Sequence, residues 1–429
     1  MSLLFPICRA TAIGVLIIAM GSPSWAADAI TLDEALRIAV GRSQQLVAQD
    51  ALGTAAREQA VAAGQLPDPV IRFGIDNLPA NGQDRLSITR DFMTMRRIGV
   101  MQEIPRLEKR QLRAEKFERD AERVQAQQQL TLANVQQGTA LAWLDRYYAQ
   151  AQRELLEQQI EETRIQVQVS DSAFRSNRGS LAEVFEARAA VVMLQDRLSQ
   201  IDRQSRGASL MLARWVGTSA AERPTSGSPP WQSTPLQGHI SREHLERLPD
   251  LLTIRAEIDA AETEARLAQA NKKADISVEA SYGQRGPAFS NMLAIGVSIP
   301  LQLNQKNRQN RELGAKLALV DEAKARYEDM LRKNEAELGS LLNEWQTGKE
   351  RLIRYRDEVI PIARQRSEAA LTAYGTGKSD LAAVLLARRD EIDVRMQALS
   401  VEMETARFWA QLNFLLPNLH ISALSKDQP

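Results

Sequence analysis

The stretch FRSNRGSLAEVFEAR at residues 174–188 returns as YGTGKSDLAAVLLAR at residues 374–388. The same shift of 200 residues aligns 174–215 with 374–415 without a gap, so that Leu181, Ala182, Val184, Ala187 and Arg188 recur as Leu381, Ala382, Val384, Ala387 and Arg388. An internal repeat of this length sets the architecture before any local reading does. Upstream the two halves match more loosely. Ile98-Gly99-Val100 answers to Ile295-Gly296-Val297, and Leu66-Pro67-Asp68 to Lys273-Ala274-Asp275. The chain of 429 residues therefore divides into a first repeat over 27–217 and a second over 241–417. Residues 218–240 form a Pro-, Ser- and Gly-rich linker or equatorial segment, and 418–429 a C-terminal tail.

Each repeat reads as a helix, two short strands, a very long helix, a tight turn and another long helix. The helices carry an apolar seam at 3,4 spacing. In the first repeat it runs Val184, Ala187, Val191, Leu194, Leu198, Ile201, Ser205, Ala208, Leu212, Trp215; in the second it includes Leu338, Leu341, Trp345, Gly348, Leu352, Tyr355, Val359 and Ile362. A period near 3.5 sustained over this length predicts coiled-coil packing. The helical hairpins span 106–216 and 306–416. The uninterrupted helix over 106–173 would be on the order of 100 Å long, more than a compact domain needs. Pro361 lies inside the matching helix of the second repeat and predicts a kink there.

The strands, at about 70–77, 97–104, 276–282 and 292–300, alternate at period two. Ile71, Phe73 and Ile75 take one face and Arg72, Gly74 and Asp76 the other; Ile276, Val278, Ala280 and Tyr282 alternate with Ser277, Glu279 and Ser281. Their length suits a tilted membrane strand. Backbone groups in hydrocarbon must all be paired, so a membrane sheet must close on itself, and the smallest such barrels have about eight strands. One chain supplies four. If the strands cross a membrane, copies must assemble, and three would give twelve strands.

At this point the chain resembles the TolC-like outer membrane efflux protein family. The motifs are Thr31-Leu32-Asp33-Glu34-Ala35-Leu36 at the start and Leu66-Pro67-Asp68-Pro69 before the first strand. Gly296-Val297-Ser298-Ile299-Pro300-Leu301 closes the last strand, and the turn at 374–381 follows. The resemblance implies a mainly α fold with β: long coiled-coil hairpins plus four membrane strands per chain, assembling as a homotrimeric 12-stranded β-barrel on an α-helical barrel. It also implies a periplasmic adaptor, an inner-membrane transporter of the resistance–nodulation–division type and outer-membrane lipid as partners, with no cofactor and no enzyme activity. Gln102-Glu103-Ile104-Pro105 followed by Lys109-Arg110 is similar to the heavy-metal branch, the CzcC and CusC type. That implies export of heavy-metal cations. A drug-efflux or type I secretion duct shares the fold, and the rival of another class is a periplasmic structural coiled-coil protein.

The resemblance gives individual residues expected roles. The turns carry Arg175, Asn177, Arg178 and Gly179, and Tyr374, Gly375, Gly377 and Lys378, as docking tips for the adaptor. Gly179, Gly375 and Gly377 would permit the tight backbone path. Glu183 and Glu186 stand where some relatives carry pore aspartates, and Asp380 is the nearest acid in the second repeat, so these three are candidate pore or gate residues. Arg72, Asp76 and Glu279 would line the barrel lumen. Met93, Met95 and Met101 cluster near the first strands, where thioethers could suit a soft ion. His239, His244 and His420 are scattered without ligand spacing, so no metal site is expected.

The N-terminus reads as a secretory signal over 1–26: Arg9 supplies positive charge, 10–20 is an apolar run, and Ser24-Trp25-Ala26 offers small residues for cleavage. Cys8, the only cysteine, precedes the apolar run, so it cannot be the acylated residue of a lipoprotein, and the mature chain would lack thiols altogether. There is no Gly-rich phosphate loop and no GxSxG. Lys and Arg together number 54, as do Asp and Glu, which leaves no net charge to attract nucleic acid.

Overall fold

The computed structural model describes residues 29–234 and 241–417. The signal segment with Cys8, the linker's end with His239, and the tail with His420 lie outside the described residues.

The first repeat opens with α1 (Leu32–Arg42) and α2 (Gln44–Gly64), then β1 (Val70–Asp76), β2 (Met95–Ile104), the 69-residue α3 (Leu107–Arg175) and α4 (Leu181–Val216). A short α5 (Thr218–Glu222) follows. The second repeat has α6 (Arg242–Glu246), α7 (Pro249–Ala270), β3 (Ile276–Gln284) and β4 (Met292–Ser298). Its long helix is divided into α8 (Gln309–Arg354), a π-helical turn (Tyr355–Val359) and α9 (Ile360–Gly375), and α10 (Leu381–Asn413) returns. At 1.5 Å per residue α3 is about 100 Å long. Among the described residues no helix is long and apolar enough to cross a membrane.

The four strands form one antiparallel sheet in the order β1-β2-β3-β4. The helices below keep that order: α2 packs on α3, α3 on α7, and α7 on α8. Each strand thus heads a column, β1 with α2, β2 with α3, β3 with α7 and β4 with α8. The coiled-coil hairpins α3–α4 and α9–α10 continue beyond.

The seam in α4 is buried or half-buried at every expected position. In the second repeat the expectation holds to Val359 and fails at Ile362, which is 64 % exposed. Pro361 has no N–H to give the carbonyl four residues back, and its ring crowds that carbonyl. The π-turn absorbs the conflict by inserting one extra residue ahead of the proline. The seam then resumes one position later, through Ile360, Ala363, Ser367, Ala370 and Tyr374, all buried or half-buried.

The main core lies where the hairpins meet α1 and the linker. Three indole N–H groups tie down backbone there: Trp143 donates to the Ile30 carbonyl at 3.1 Å, Trp345 to the Trp231 carbonyl at 2.8 Å and Trp409 to the Ser233 carbonyl at 2.9 Å. Ile30 bridges to Thr225, and Arg223 pairs with Glu34 at 2.7 Å. The described part of the linker is therefore a girdle bound around the helices, and its Pro and Gly content serves a close path over them rather than freedom.

Candidate functional site

The sheet separates two chemistries. Register places Arg72 beside Gly99, Gly99 beside Ser281, and Ser281 beside Ala294; two residues along, Met101 pairs with Glu279 and Glu279 with Gly296. This face holds the three expected lumen residues. Arg72 reaches Glu279 at 3.5 Å across β2, and Asp76 pairs with Arg97 at 2.6 Å. Arg97 and Glu103 share the face and were not singled out by the sequence, although their parity along β2 marks them. The other face carries Ile71, Phe73, Ile98, Val100, Ala280, Tyr282, Leu293, Ile295 and Val297. Its large apolar side chains are bare: Phe73 is 77 %, Leu293 84 % and Ile295 82 % exposed.

The methionines do not gather. Met95 and Met101 stand six residues apart on β2, roughly 20 Å along a strand. Met101 Sδ accepts from Arg72 Nη2 at 3.2 Å, while Met95 packs over Gly283. His244 Nδ1 meets Ser241 Oγ at 2.9 Å, at the start of α6.

Where the sheet meets the helices, a buried ion pair locks neighbouring columns. Lys109, 3 % exposed, donates to Asp275 Oδ2 at 2.9 Å and to the Lys273 carbonyl at 2.5 Å. The Arg106 N–H donates to Asp275 Oδ1 at 3.1 Å, and Lys273 pairs with Glu108 at 2.7 Å. Gln102 straps the first repeat by donating to the Pro67 carbonyl at 2.8 Å. Burial pushes the Asp275 carboxyl upward, but the Lys109 ammonium and the Arg106 N–H outweigh it and hold the group below the usual carboxylate range. The sequence showed Lys109 only as part of a motif. Its partners Lys273 and Asp275 lie in the turn between α7 and β3, more than 160 residues later in the chain.

The two tips share one hydrogen-bond pattern. Arg178 N–H donates to the Ala173 carbonyl and Asn177 N–H to the Phe174 carbonyl; Lys378 and Gly377 repeat this onto Ala373 and Tyr374. This is the Schellman closure, which needs a left-handed residue at its centre. Asn177 (φ 61°) and Gly377 (φ 73°) take that conformation. The expectation placed on three glycines is corrected accordingly. Gly179 and Gly375 do not have positive φ. Gly179 is closely approached instead, since a Cβ there would lie 2.9 Å from Glu183 Oε2 and 3.2 Å from the Ala173 Cβ, and Gly375 faces open space.

The candidate gate acids have local partners. Glu183 completes a capping box: its carboxylate accepts from Ser180 N–H at 3.1 Å while Ser180 Oγ accepts from Glu183 N–H at 3.2 Å. Asp380 caps α10, accepting from Ala383 N–H at 3.0 Å. Glu186 lines a 460 Å³ groove between α4 and α10 with Met193, Leu386 and Arg389. Arg197 straps that groove to Asp393 at 2.5 Å. Arg175 pairs with Asp171 at 2.7 Å. The two tips lie side by side, Ala187 packing with Leu381 and Val384 and Tyr374 against them; burial and the nearby Glu183 carboxylate raise the Tyr374 hydroxyl's pKa. Val184, Ala187, Leu381 and Val384 are buried at this junction.

An antiparallel sheet with one bare apolar face, mounted on helices of this length, defines the protomer fold of outer-membrane channels. The chain superposes on the VceC outer membrane protein of Vibrio cholerae with a TM-score of 0.73 at 18% identity, over 90% of this chain and 95% of that one. It superposes on CusC, described for conformational changes accompanying folding and transmembrane channel formation, with 0.74 at 15% over 90% and 92%. The open-state MtrE channel of Neisseria gonorrhoeae gives 0.71 at 15% over 90% and 88%. No curated protein sequence matches the chain. Residues 240–418, the second repeat, match the model of the outer membrane efflux protein family, and the described chain has the TolC-like fold throughout.

The junction gives a pH prediction. Because the Asp275 pKa is lowered on folding, its contribution is present above the unfolded value of about 3.9 and lost as pH falls through the folded one. Asp275→Asn should melt below the wild type at pH 7, with the gap narrowing toward pH 3. A gap that stays constant over that range would show that the pair's ionisation contributes nothing.

Proposed function

We propose that three copies of this chain close into a twelve-stranded barrel in the outer membrane, and that the trimer is the exit duct of a tripartite efflux pump. The observation that carries this reading is the sheet: both edge strands are unpaired, one face is apolar and bare, and the other is polar. In the order β1-β2-β3-β4 with every pairing antiparallel, β4 runs opposite to β1. The β4 of one copy can therefore continue the ladder onto β1 of the next. Arg72, Asp76 and Glu279 would then face a polar lumen and Phe73 and Ile295 the lipid. Energy would come from an inner-membrane transporter of the resistance–nodulation–division type, with this chain as a passive conduit.

In this reading the helical tips lie in the periplasm and meet an adaptor protein through Arg175, Asn177, Arg178, Gly179, Tyr374, Gly375, Gly377 and Lys378. The Arg178 and Lys378 side chains have no ion-pair partner among the described residues, which leaves them available to an acidic surface. Glu186 and the groove between α4 and α10 are the part of the tip that opening would rearrange. Glu183 and Asp380 act first as helix caps, and any carboxylate ring at the pore would be built around those bonds. The cargo we propose is heavy-metal cations. The support is the Gln102-to-Arg110 motif, although Gln102 and Lys109 also have the junction roles described above.

Detergent-extracted protein should run as a trimer by light scattering and conduct ions in a planar bilayer; a monomer without conductance would end the channel reading. Phe73→Arg or Ile295→Arg should abolish outer-membrane assembly, since a cation at mid-bilayer costs about 2–4 kcal/mol per copy. Ala294→Arg, at an exposed position on the opposite face, should assemble and change ion selectivity. Charge reversal at Arg178 and Lys378 together should reduce adaptor capture in a pull-down while the trimer persists, and undiminished capture would remove the tips from the interface. Deleting the gene should sensitise cells to divalent metals more than to organic drugs, and the opposite ranking would reassign the cargo.

A further inference from the structure

The apolar face of the sheet carries one charge. Of the strand residues that share this face with Ile98, Val100 and Leu293, Arg96 alone is charged. It stands at the strand end remote from the helices, with Ile75 of β1 and Gln284 of β3 as its register partners.

The residues around it fix its depth. Tyr282, one step nearer the middle of the face, pairs with Ile98, and its hydroxyl accepts from Asn291 Nδ2 at 2.6 Å. A tyrosine with an apolar ring and a bonded hydroxyl belongs where hydrocarbon meets headgroups. Arg96 lies two residues further out, roughly 7 Å along the strand, at headgroup level. In the other direction the same face of β2 ends on Gln102, six residues and roughly 20 Å away, close to the height of an outer-membrane barrel's apolar band. Gln102 is neutral, and its amide donates to the Pro67 and Glu103 carbonyls. The face is therefore charged at one rim only, the rim away from the helices.

The Arg96 guanidinium is uncommitted. Its Nε–H is buried without an acceptor, and among the described residues its terminal nitrogens form no hydrogen bond or ion pair. Arg97, the next residue and on the polar face, holds Asp76 instead. The loops beside Arg96 are pinned together. Arg285 donates from Nε to the Ser290 carbonyl at 2.6 Å and from Nη1 to the Phe92 carbonyl at 3.1 Å, which ties the 285–291 turn to the longer 77–94 loop. The Thr89 carbonyl fills the space where Gly286 would carry a Cβ. Arg85 and Arg90 of the long loop are exposed and have no ion-pair partner among the described residues. The acids of these loops are Asp84 and Asp91, and Asp91 Oδ1 already accepts from the Met93 and Thr94 N–H groups at 2.8 and 3.1 Å. This rim thus offers positive charge in excess, with one planar guanidinium facing the lipid side.

Such a group suits a phosphate, which it can hold through two parallel N–H···O bonds. We propose that each copy binds, through the Arg96 guanidinium, one phosphate monoester of an anionic glycolipid in the outer leaflet. This rests on the barrel reading above and adds a specific lipid site to it. An arginine that merely snorkelled would reach the same depth without distinguishing phosphate from other headgroups.

The test uses the detergent-extracted full chain and fluorescent lipid A, with its phosphates and after their enzymatic removal. Wild-type trimer should bind the phosphorylated lipid about tenfold more tightly than the dephosphorylated one. Arg96→Gln should lose that preference, while Arg97→Gln should keep it. A trimer that binds both lipids equally, or an Arg96→Gln trimer that retains the preference, would overturn the site and leave the barrel standing. A wild type that is not a trimer would remove the barrel reading, and this site with it. Binding of inorganic phosphate alone as tightly as the phosphorylated lipid would make the site one for a free anion and overturn the lipid assignment. Should Arg96→Gln fail to assemble, Arg96→Lys decides. It keeps the charge without the paired donors, so it should assemble with a reduced preference, and an unchanged preference would reject the guanidinium's role.

Discussion

A peptide group in hydrocarbon has no water to bond with, and this fact governs the rest of the molecule. Four strands leave two rows of backbone donors and acceptors open, along β1 and along β4. A soluble protein blunts such edges with charge, bulges or a covering loop. Here the edges are flanked by Phe73, Leu293 and Ile295, which would make an isolated chain in water prone to aggregate. The helices answer the same constraint from below. Because each strand heads a helical column, whatever closes the sheet must also close the helices, and α2 and α8 are left open on the same sides as β1 and β4. The strand edges and helix faces form one open surface, which the proposed ring would close with a further copy of the chain.

Much of this was legible in the sequence because it depends on period. The alternation along β1 and β3 assigned Arg72, Asp76 and Glu279 to one face, and the register places them there. The duplicated turn located both hairpins, and the α4 seam could be read residue by residue. What the sequence concealed depends on events a period does not encode. Ile362 obeyed the heptad and is exposed, because a proline upstream forced one residue out of step. Glycine was a sound guide at Gly377 and a poor one at Gly375; the matching left-handed position in the first repeat is filled by Asn177, whose side chain tolerates that backbone. Lys109 looked like an ordinary cation beside a strand, and only its partners in the turn after α7 reveal it as a buried one.

The tips show why residue type alone is an uncertain guide to a gate. Glu183 and Asp380 read as charge near a pore, and both carboxylates are occupied by helix N-termini. A carboxylate bonded to backbone N–H groups keeps its negative charge but loses freedom to swing toward a passing ion. Glu186, with no such bond among the described residues, borders a mainly apolar groove flanked by the Arg197–Asp393 pair. Mobility at this end of the molecule is thus allotted by which acids cap helices and which do not.

The unbroken 69 residues of α3 have an evolutionary corollary. Such a helix is a ruler: removing one heptad shortens it by about 10 Å and preserves the phase of its seam. The ruler is read against α4, and through the second repeat against α8, α9 and α10 as well, so a change in one helix alone would leave its partners unmatched. The depth of compartment that this architecture spans can therefore drift only in coordinated steps, one heptad in every helix at once. The single residue added before Pro361 marks how small an uncoordinated change can be and still be absorbed.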